Sequence, residues 1–386
     1  MQKLRVGVIY GGRSGEHEVS LASAAAVFRS LDPSRYEAIP IMVTKEGRWS
    51  LPAEPPRLEA AADAIAASRS QGTIGPSREA HLVAHPGGDT LITIDRGASQ
   101  DAGASQISTA SVSGLALDVV FPVLHGPYGE DGTVQGLLEL ANVPYVGCGV
   151  LASSVGMDKA VMKVVFAAAG LPICEYAVVL ARDWRRDERE VLTRVTSQLG
   201  FPLFVKPANL GSSVGISKAK HAVELRDAIA LAAQFDRKIV IEAAVPAARE
   251  IECAVLGNDD PEASVPGEII PSREFYDYQA KHLDEGSRSV IPADLTAAQI
   301  DDVRRLAIAA FKAIDGSGMA RVDFLLAGDS GVLYLNELNT IPGFTTISMY
   351  GKLWEASGLP YPTLLDRLID LALERHREKQ RLRTSM

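Results

Sequence analysis

The N-terminal part of the chain alternates apolar strands with a helix that is rich in Ala, Val and Leu. An apolar run at residues 4–10 predicts a buried strand, and the segment from about Glu16 to Leu31 predicts a helix that ends before Asp32-Pro33. Residues 37–43 predict a second strand. This order is typical of an open α/β domain, in which ligands gather at the carboxyl ends of the strands. The glycine-rich turn after the first strand is not G-x-G-x-x-G, so the sequence does not support a dinucleotide fingerprint.

The pattern weakens between residues 52 and 114, where Ala, Ser, Gly and Pro dominate. Only His81–His85 and Leu91–Ile94 are strand-like there, so the region is interpreted as a variable insertion. The α/β pattern resumes with a buried strand at residues 118–124 and a helix from about Asp131 to Ala141.

The remainder of the chain mixes strands and helices without a βαβ repeat. The sequence predicts a strand and turn at 144–149, further strands at 202–206, 238–242, 251–257 and 267–271, a strand pair near 319–339, and helices near 157–170, 222–235, 296–314 and 361–381. The predicted fold class is therefore α/β in the N-terminal part and α+β in the rest.

The predicted hairpin over residues 319–339 brings four polar side chains together. If the turn centres near Ser330, Asp323 lies opposite Glu337 and Arg321 lies opposite Asn339, all on one face. Carboxylate and amide oxygens are suitable ligands for Mg²⁺. The alternative from this pattern alone is an ordinary solvated hairpin face.

The segment FVKPANLGSSVG has the composition of a phosphate-binding loop. A strand delivers Lys206, Gly211 and Gly215 allow close backbone approach to an anion, and Ser212 and Ser213 add hydroxyl donors. The segment is not the P-loop G-x-x-x-x-G-K-[ST], and an ordinary flexible loop is the alternative.

Two other charged residues are ambiguous on pattern alone. Lys159 lies at a predicted helix start and Glu242 ends an apolar strand. A surface lysine and a strand-edge glutamate are the ordinary explanations for such positions.

Composition and charge limit the class of protein. The 386 residues are 47% hydrophobic and 23% charged, which is ordinary for a globular protein, and the net charge of −9 makes nucleic acid an unfavourable main partner. The three cysteines are widely spaced without C-x-x-C, so neither a zinc cluster nor a disulfide framework is expected. No signal peptide and no membrane-length apolar run is found, so a cytoplasmic protein without a membrane partner is expected.

Taken in order, several segments resemble the ATP-grasp ligases, specifically the D-alanine–D-alanine ligases. They are GGRSGEHEVSLASA, HGPYGEDGTVQGLLE, MDK, FVKPANLGSSVG, IEAAV, REIECAVLG, MARVDF and NELNTIPGF. The resemblance implies an ATP-grasp fold with an N-terminal open α/β substrate-binding domain (1–147), a central lid domain (148–246) and a C-terminal domain with the Mg²⁺ site (247–386). It also implies a homodimer.

The implied activity is ATP-dependent joining of two D-alanine molecules through an acyl phosphate, for peptidoglycan precursors. The implied ATP-binding residues are Lys159, Lys206, Ser213, Glu242, Val245, Glu250 and Lys281. Two Mg²⁺ ions, with Mn²⁺ as an alternative, would be held by Asp323, Glu337 and Asn339. The competing hypothesis is a nucleotide-binding regulatory protein that has lost catalysis. It is disfavoured because the implied catalytic and metal-binding residues are all present: Lys206, Arg321, Asp323, Glu337 and Asn339.

The resemblance also implies how the substrates are held. Glu16 would bind the ammonium of the first D-alanine and His125 would orient the site, with Glu130 at the same rim. Ser348 and Lys281 would bind the second carboxylate, Arg321 and the Gly343 N–H would stabilise the oxyanion, and Ser212, Ser213 and the loop around Lys281 would act as a lid. Purely structural alternatives are a helix-dipole interaction for Glu16 and a hydrogen-bonded structural role for His125.

The lid segment departs from the family pattern at one position. Most D-alanine–D-alanine ligases have tyrosine after the lid lysine, hydrogen-bonded to the serine that matches Ser212, whereas this chain has His282. An imidazole can donate the same hydrogen bond, but it can also become cationic near pH 6.5 and repel the ammonium of a second D-alanine. A D-alanine–D-lactate ligase is therefore the alternative function.

Overall fold

The computed structural model describes residues 2–57, 77–96, 110–211, 214–271, 288–328 and 330–383. The chain divides into two compact units. The first comprises Met1–Gly147, Gly343–Ser348 and Pro360–Met386, and the second comprises Cys148–Pro342 and Met349–Leu359. The three-domain division drawn from the sequence stays a prediction.

The described elements are numbered in chain order. The strands are β1 (Leu4–Gly11), β2 (Tyr36–Val43), β3 (Trp49–Pro52), β4 (Ser77–Leu82), β5 (Leu91–Arg96), β6 (Ala110–Leu115), β7 (Val119–Val123), β8 (Tyr176–Leu180), β9 (Leu203–Pro207), β10 (Ser217–Ala219), β11 (Lys238–Ala243), β12 (Ala248–Gly257), β13 (Glu262–Ala263), β14 (Gly267–Ile270), β15 (Arg288–Val290), β16 (Gly318–Ala327) and β17 (Leu333–Asn339). The helices are α1 (His17–Ser30), α2 (Thr133–Ala141), α3 (Val150–Met157), α4 (Lys159–Ala168), α5 (Ala181–Arg186), α6 (Glu188–Leu199), α7 (Ala222–Ala232), α8 (Ala297–Ala313), α9 (Met349–Ala356) and α10 (Tyr361–Gln380).

The first unit is built on a sheet whose described strands run in the order β6-β5-β4-β3-β2-β1-β7. β1 pairs in parallel with both β2 and β7, and the remaining pairs are antiparallel. Val6, Val8 and Ile9 of β1 are fully buried, as expected for a central strand. Because β1 and β7 are parallel neighbours, their carboxyl ends meet at one edge of the sheet.

The insertion extends this sheet. β5 confirms the predicted strand at Leu91–Ile94, whereas β4 overlaps the predicted His81–His85 segment only at His81 and Leu82 and begins earlier, at Ser77. Ladder hydrogen bonds explain the shift, because Ser77 and Arg78 pair with Pro52 and Leu51 despite their polar side chains. β3 and β6 were not predicted, since their short segments carry too few apolar residues to give a period-two signal.

The second unit contains two antiparallel sheets. One has the order β10-β9-β11-β8, and the other has the order β15-β14-β12-β16-β17, with β13 paired to β12. Helix α8 packs on the second sheet, where Val303, Ala307 and Phe311 join the buried core with Val322 and Phe324. Val322 and Phe324 alternate with Arg321 and Asp323, so the opposite face of β16 is left for polar residues.

Several local predictions need correction. The helix predicted near residues 157–170 corresponds to α4, whereas α3 was not predicted. The two helices are separated at Asp158. This residue has extended backbone and caps α4 by accepting hydrogen bonds from the N–H groups of Ala160 and Val161. The strand predicted at residues 144–149 is only an isolated bridge between Tyr145 and Val120. Among the described helices, none combines the length and apolar character needed to cross a membrane.

Candidate active site

The β16–β17 hairpin carries a half-buried ionic face. Arg321 pairs across the strands with Asn339, and Asp323 pairs with Glu337, which confirms the predicted cross-strand neighbours. The guanidinium of Arg321 donates two hydrogen bonds of 2.7 Å to the carboxylate of Asp323. Its Nε also lies 3.2 Å from Oε2 of Glu252 on the neighbouring strand β12. Arg321 is thus held between two carboxylates in a fixed orientation.

The charge of Arg321 is strongly favoured at this position. Burial would lower the pKa of the guanidinium, but the carboxylates of Asp323 and Glu252 outweigh burial and raise the pKa well above its ordinary value. A permanently charged, oriented donor suits the stabilisation of negative charge that develops during a reaction.

A β-bulge shapes the other strand of the hairpin. The register shifts after Asp323, because Asp323 pairs with Glu337 whereas Phe324 pairs with Leu335. Asn336 is therefore the extra residue in β17. If the hairpin had no bulge and kept the pairing of Phe324 with Leu335, the residue opposite Asp323 would be Asn336 and not Glu337.

Two lysines reach the residues around this bulge. Nζ of Lys159 lies 3.3 Å from Oε2 of Glu337 and donates to the carbonyl oxygen of Leu210 at 2.9 Å. Nζ of Lys206 donates to Oδ1 of Asn336 at 3.2 Å. One ammonium group from a helix and one from a strand thus contact adjacent residues of the bulged hairpin. Ammonium groups next to oxygen ligands can bind the phosphates of a nucleotide and its metal ion.

The buried carboxylate of Glu242 contacts Lys206 and a third lysine. Its Oε2 is 2.5 Å from Nζ of Lys206, and its Oε1 is 2.6 Å from Nζ of Lys163, a residue that the sequence analysis did not identify. Burial would raise the pKa of Glu242, but the two lysines outweigh burial and lower the pKa to about 2. Glu242 also raises the pKa of Lys206, against the lowering effect of burial.

This depressed pKa predicts a specific loss of stability in acid. The pKa of Glu242 is about 2 in the folded chain against an ordinary 4.5, so its contribution is complete above about pH 4.5 and is lost as the pH falls through about 2. We expect Glu242→Gln to remove this part of the pH dependence of the free energy of unfolding. Urea unfolding curves from about pH 6 to about pH 2.5 measure it, with exposed Glu355→Gln as the control. Equal acid sensitivity in wild type and Glu242→Gln would contradict the assignment.

In the first unit, the ends of β1 and β7 bring Glu16 and His125 to the same rim. The backbone N–H of Glu16 donates to Oγ of Ser14 at 3.2 Å, and this hydroxyl donates to the carbonyl oxygen of His125 at 2.7 Å. Gly126 adopts φ of +75°, and a Cβ there would lie only 2.7 Å from Oε2 of Glu16. The buried Glu130 accepts from the N–H of Gly126. Glycine therefore allows the carboxylate of Glu16 to pack against this loop.

A buried serine connects His125 to the segment Gly343–Ser348. Oγ of Ser23 lies 3.1 Å from Nε2 of His125 and accepts a hydrogen bond of 3.2 Å from the N–H of Phe344. Phe344 also stacks edge-on against Phe121 and accepts from the hydroxyl of Tyr361 through its carbonyl. These contacts fix the segment that carries the predicted residues Gly343 and Ser348.

The turn that follows Gly343 is tightly built. Oγ of Ser348 accepts from the N–H of Thr345 at 3.1 Å and lies 2.7 Å from its hydroxyl. A Cβ at position 343 would lie 2.7 Å from Oγ of Ser348, so a side chain there would displace the serine. Ser348 and the Gly343 backbone therefore lie close together in one turn, and their roles in binding substrate stay predictions.

Ser23 offers a test of this arrangement. Replacing Ser23 by alanine removes two buried hydrogen bonds, and we expect the free energy of unfolding to fall by about 1–3 kcal/mol. The exposed Ser34→Ala is the matched control, for which we expect a change within about 0.5 kcal/mol. Denaturant unfolding measures both variants, and equal stabilities would show that Ser23 does not secure the segment.

Of the remaining predicted site residues, two lie in the described part of the chain and four lie outside it. Val245 follows β11 and Glu250 lies in β12, and both are half-buried in the second unit. Ser212, Ser213, Lys281 and His282 lie outside the described residues, so their predicted roles in the lid and in acceptor choice stay predictions.

The donor set on the hairpin face fits a divalent cation. The described residues contain no cluster of three or more His, Cys, Asp or Glu side chains that could hold a metal ion. The predicted ligands are of another kind, because they are two carboxylates and one amide. Oδ1 of Asn339 accepts from the N–H of Ile341 at 3.1 Å, and a carbonyl or carboxylate oxygen has two lone pairs with which it can accept or coordinate. Hard oxygen donors of this kind match Mg²⁺ or Mn²⁺.

Four residues of these networks were missed by sequence reasoning: Lys163, Glu252, Asn336 and Ser23. Lys163 had a usable signal, because it lies four residues after Lys159 inside the apolar run VMKVVFAA and therefore on the same helix face. Glu252 shares the face of Glu250 through period-two alternation. No sequence signal marks the bulge at Asn336 or the contact of Ser23 with a segment more than 300 residues away.

The chain is similar to known proteins along nearly its whole length. Residues 5–148 match the family model described as D-ala D-ala ligase N-terminus, and residues 165–370 match that described as D-ala D-ala ligase C-terminus. The D-alanine–D-alanine ligase of Geobacillus thermodenitrificans is 49% identical over 378 residues, covering 98% of each chain.

Solved structures give the same result for the fold. The D-alanine–D-alanine ligase from Coxiella burnetii superposes with a TM-score of 0.79 at 37% identity, covering 98% of this chain and 97% of that chain. The VanG D-Ala:D-Ser ligase from Enterococcus faecalis gives a TM-score of 0.76 at 33% identity, covering 96% of this chain and 100% of the other. The predicted mixed α/β fold class is confirmed.

Proposed function

This chain belongs to the D-alanine–D-alanine ligase family, and from this premise we propose that it joins two D-alanine molecules into D-alanyl-D-alanine while ATP is converted to ADP and phosphate. It is an ATP-dependent ligase that forms a carbon–nitrogen bond in peptidoglycan precursor synthesis. The observation that carries this function is the full-length match at 49% identity, with the ionic hairpin face intact.

The second unit supplies the proposed nucleotide site. Lys159 and Lys206 bind the phosphates through ammonium groups that converge on the bulged hairpin. Glu242, Val245 and Glu250 are proposed for the adenine and ribose. Because both oxygens of Glu242 contact lysines, we expect this carboxylate to orient the phosphate-binding lysines as well.

Asp323, Glu337 and Asn339 are the proposed ligands of two Mg²⁺ ions, which Mn²⁺ can replace. When bound, these ions offset the charge of the transferred phosphoryl group. Arg321, fixed by Asp323 and Glu252, contributes a permanent positive charge on the same hairpin face. Ser212, Ser213 and the loop around Lys281 are proposed to form the lid over the phosphates.

The first unit supplies the proposed D-alanine contacts. The carboxylate of Glu16 pairs with the ammonium of the first D-alanine, and His125 orients the rim through its link to Ser14. Ser348 and Lys281 bind the carboxylate of the second D-alanine. The N–H of Gly343 is the proposed oxyanion donor of this unit.

The proposed reaction has two steps. A carboxylate oxygen of the first D-alanine attacks the γ-phosphorus of ATP, the bond to the β,γ-bridging oxygen breaks, and an acyl phosphate and ADP form. The amino group of the second D-alanine then attacks the acyl carbon and expels phosphate, with loss of one proton from nitrogen. Arg321 and the Gly343 N–H stabilise the oxyanion of the tetrahedral intermediate. Exclusion of water protects the acyl phosphate from hydrolysis.

We assign the same three domains as the sequence predicts, 1–147, 148–246 and 247–386, and a homodimer as the assembly. Both proposals rest on family resemblance. Light scattering at several concentrations of the full chain tests the homodimer, and a monomeric mass at all of them contradicts it.

Product identification tests the function. Purified protein with ATP, Mg²⁺ and D-alanine should form the dipeptide, detected by mass spectrometry, together with one ADP per dipeptide. A second reaction that also contains D-lactate tests the alternative raised by His282, because a depsipeptide has a different mass. Predominant depsipeptide from pH 6 to pH 9 would favour a D-lactate ligase, and ADP release independent of D-alanine would contradict both ligase activities.

A further inference from the structure

Lys163 is a buried lysine that the proposed mechanism does not use. It lies on α4, one turn after Lys159, and its side chain is only 1% exposed. Its Nζ is 2.6 Å from Oε1 of Glu242 and 5.7 Å from the centre of the Tyr176 ring. A cation enclosed in this way cannot extend to a ligand beside Lys206, so any effect on nucleotide binding must pass through Glu242.

The arrangement of charges shows what that effect is. Glu242 contacts Lys163 through Oε1 and Lys206 through Oε2. Two ammonium groups share one carboxylate, so the three side chains together carry one net positive charge. If Lys163 were absent, Glu242 would neutralise Lys206 alone, and the net charge of the remaining pair would be zero. The attraction for an anion beside Lys206 would then be weaker.

Geometry adds a second reason. The contact with Lys163 occupies one oxygen of Glu242, so that Lys206 contacts the other oxygen and also donates to Asn336. Without Lys163, both oxygens of Glu242 would be available to Lys206. The Lys206 ammonium would then be drawn towards Glu242 and away from the hairpin.

We propose that Lys163 is a positioning residue for nucleotide phosphates, because its contact with one oxygen of Glu242 leaves the group Lys163, Glu242 and Lys206 with one net positive charge and keeps Lys206 directed towards the hairpin. This inference rests on the proposed binding of ATP phosphates by Lys206. It concerns phosphate affinity and not the chemical step.

The test compares the dissociation constants of adenosine and ADP, since their ratio isolates the phosphate contribution. We expect Lys163→Met to lower the adenosine-to-ADP ratio of dissociation constants about tenfold and to leave adenosine affinity within about twofold. Lys163→Arg keeps the charge and should keep the ratio. Isothermal titration with adenosine and with ADP measures these constants for the full chain.

A double variant separates charge from packing. Lys163→Met with Glu242→Gln removes one positive and one negative charge, so the remaining Lys206 again gives one net positive charge. We expect the ratio to recover at least threefold relative to Lys163→Met alone. A purely structural role for Lys163 predicts the opposite, because a second buried substitution would add to the damage.

Arg375→Met is the control for general destabilisation. Arg375 is a half-buried cation of the first unit that contacts the Tyr145 ring, so its loss should lower the melting temperature without changing the ratio. An unchanged ratio in Lys163→Met, an equal loss of adenosine affinity, or no recovery in the double variant would each overturn the proposal. A wild-type chain that shows the expected ratios but makes no dipeptide would contradict the proposed function and leave this role of Lys163 intact.

Discussion

Replacing Arg321 by methionine is expected to lower kcat for dipeptide formation by about 100- to 1,000-fold, with a smaller change in KM for ATP. Arg321 is fixed by a bidentate pair with Asp323 and by Glu252, so its charge is already oriented before the reaction begins. Such a group stabilises negative charge in the transition state more than in the bound substrates. Rates of ADP release at saturating D-alanine measure kcat directly.

Two further variants make this result interpretable. Arg321→Lys keeps a positive charge but cannot form the two parallel hydrogen bonds to Asp323, so we expect an intermediate kcat. Arg249→Met removes a similar bidentate pair, with Glu268, from the opposite face of the adjacent strand β12. We expect Arg249→Met to lower the melting temperature about as much as Arg321→Met does, but to leave kcat within about threefold of wild type. A kcat as low as that of Arg321→Met would indicate that disruption of the sheet, and not loss of an oriented cation, reduces activity.

The hairpin shows what sequence reasoning can and cannot reach. Period-two alternation and a turn near Ser330 predicted that Asp323 faces Glu337, and the structure agrees. The same reasoning could not place the bulge at Asn336, because one extra residue in a strand changes neither composition nor turn signals. Side-chain alternation thus predicts which residues face each other near a known cross-strand pair, but it does not predict the position of a β-bulge.

Long-range contacts define a second limit. The helix containing Lys163 was predicted near residues 157–170, but the pairing of Lys163 with Glu242 joins two elements that are about 80 residues apart in the chain. The contact of Ser23 with the N–H of Phe344 is of the same kind. Local patterns predict strands and helices, whereas the partners of buried polar groups depend on how those elements pack together.

The metal dependence gives the second large prediction. Asp323→Asn is expected to raise the Mg²⁺ concentration for half-maximal activity at least tenfold and to lower kcat on the order of 100-fold. The substitution removes a hard anionic ligand and keeps an amide of similar size. Titration of activity with Mg²⁺ at fixed ATP measures the first quantity, and Mn²⁺ binding in the presence of ADP, followed by electron paramagnetic resonance, measures metal affinity without turnover.

Asp323 also holds Arg321, so loss of activity alone could come from a displaced arginine. Glu337→Gln helps to distinguish the two effects, because the two hydrogen bonds that orient Arg321 go to Asp323, whereas Glu337 lies 3.3 Å from Nζ of Lys159. If the hairpin face binds the metal, both variants weaken Mn²⁺ binding, whereas Arg321→Met leaves it intact. The exposed Asp302→Asn, whose partner is Arg305, should change neither metal binding nor kcat. Wild-type Mn²⁺ affinity in both Asp323→Asn and Glu337→Gln would place the metal elsewhere and leave the carboxylates as structural partners of Arg321 and Lys159.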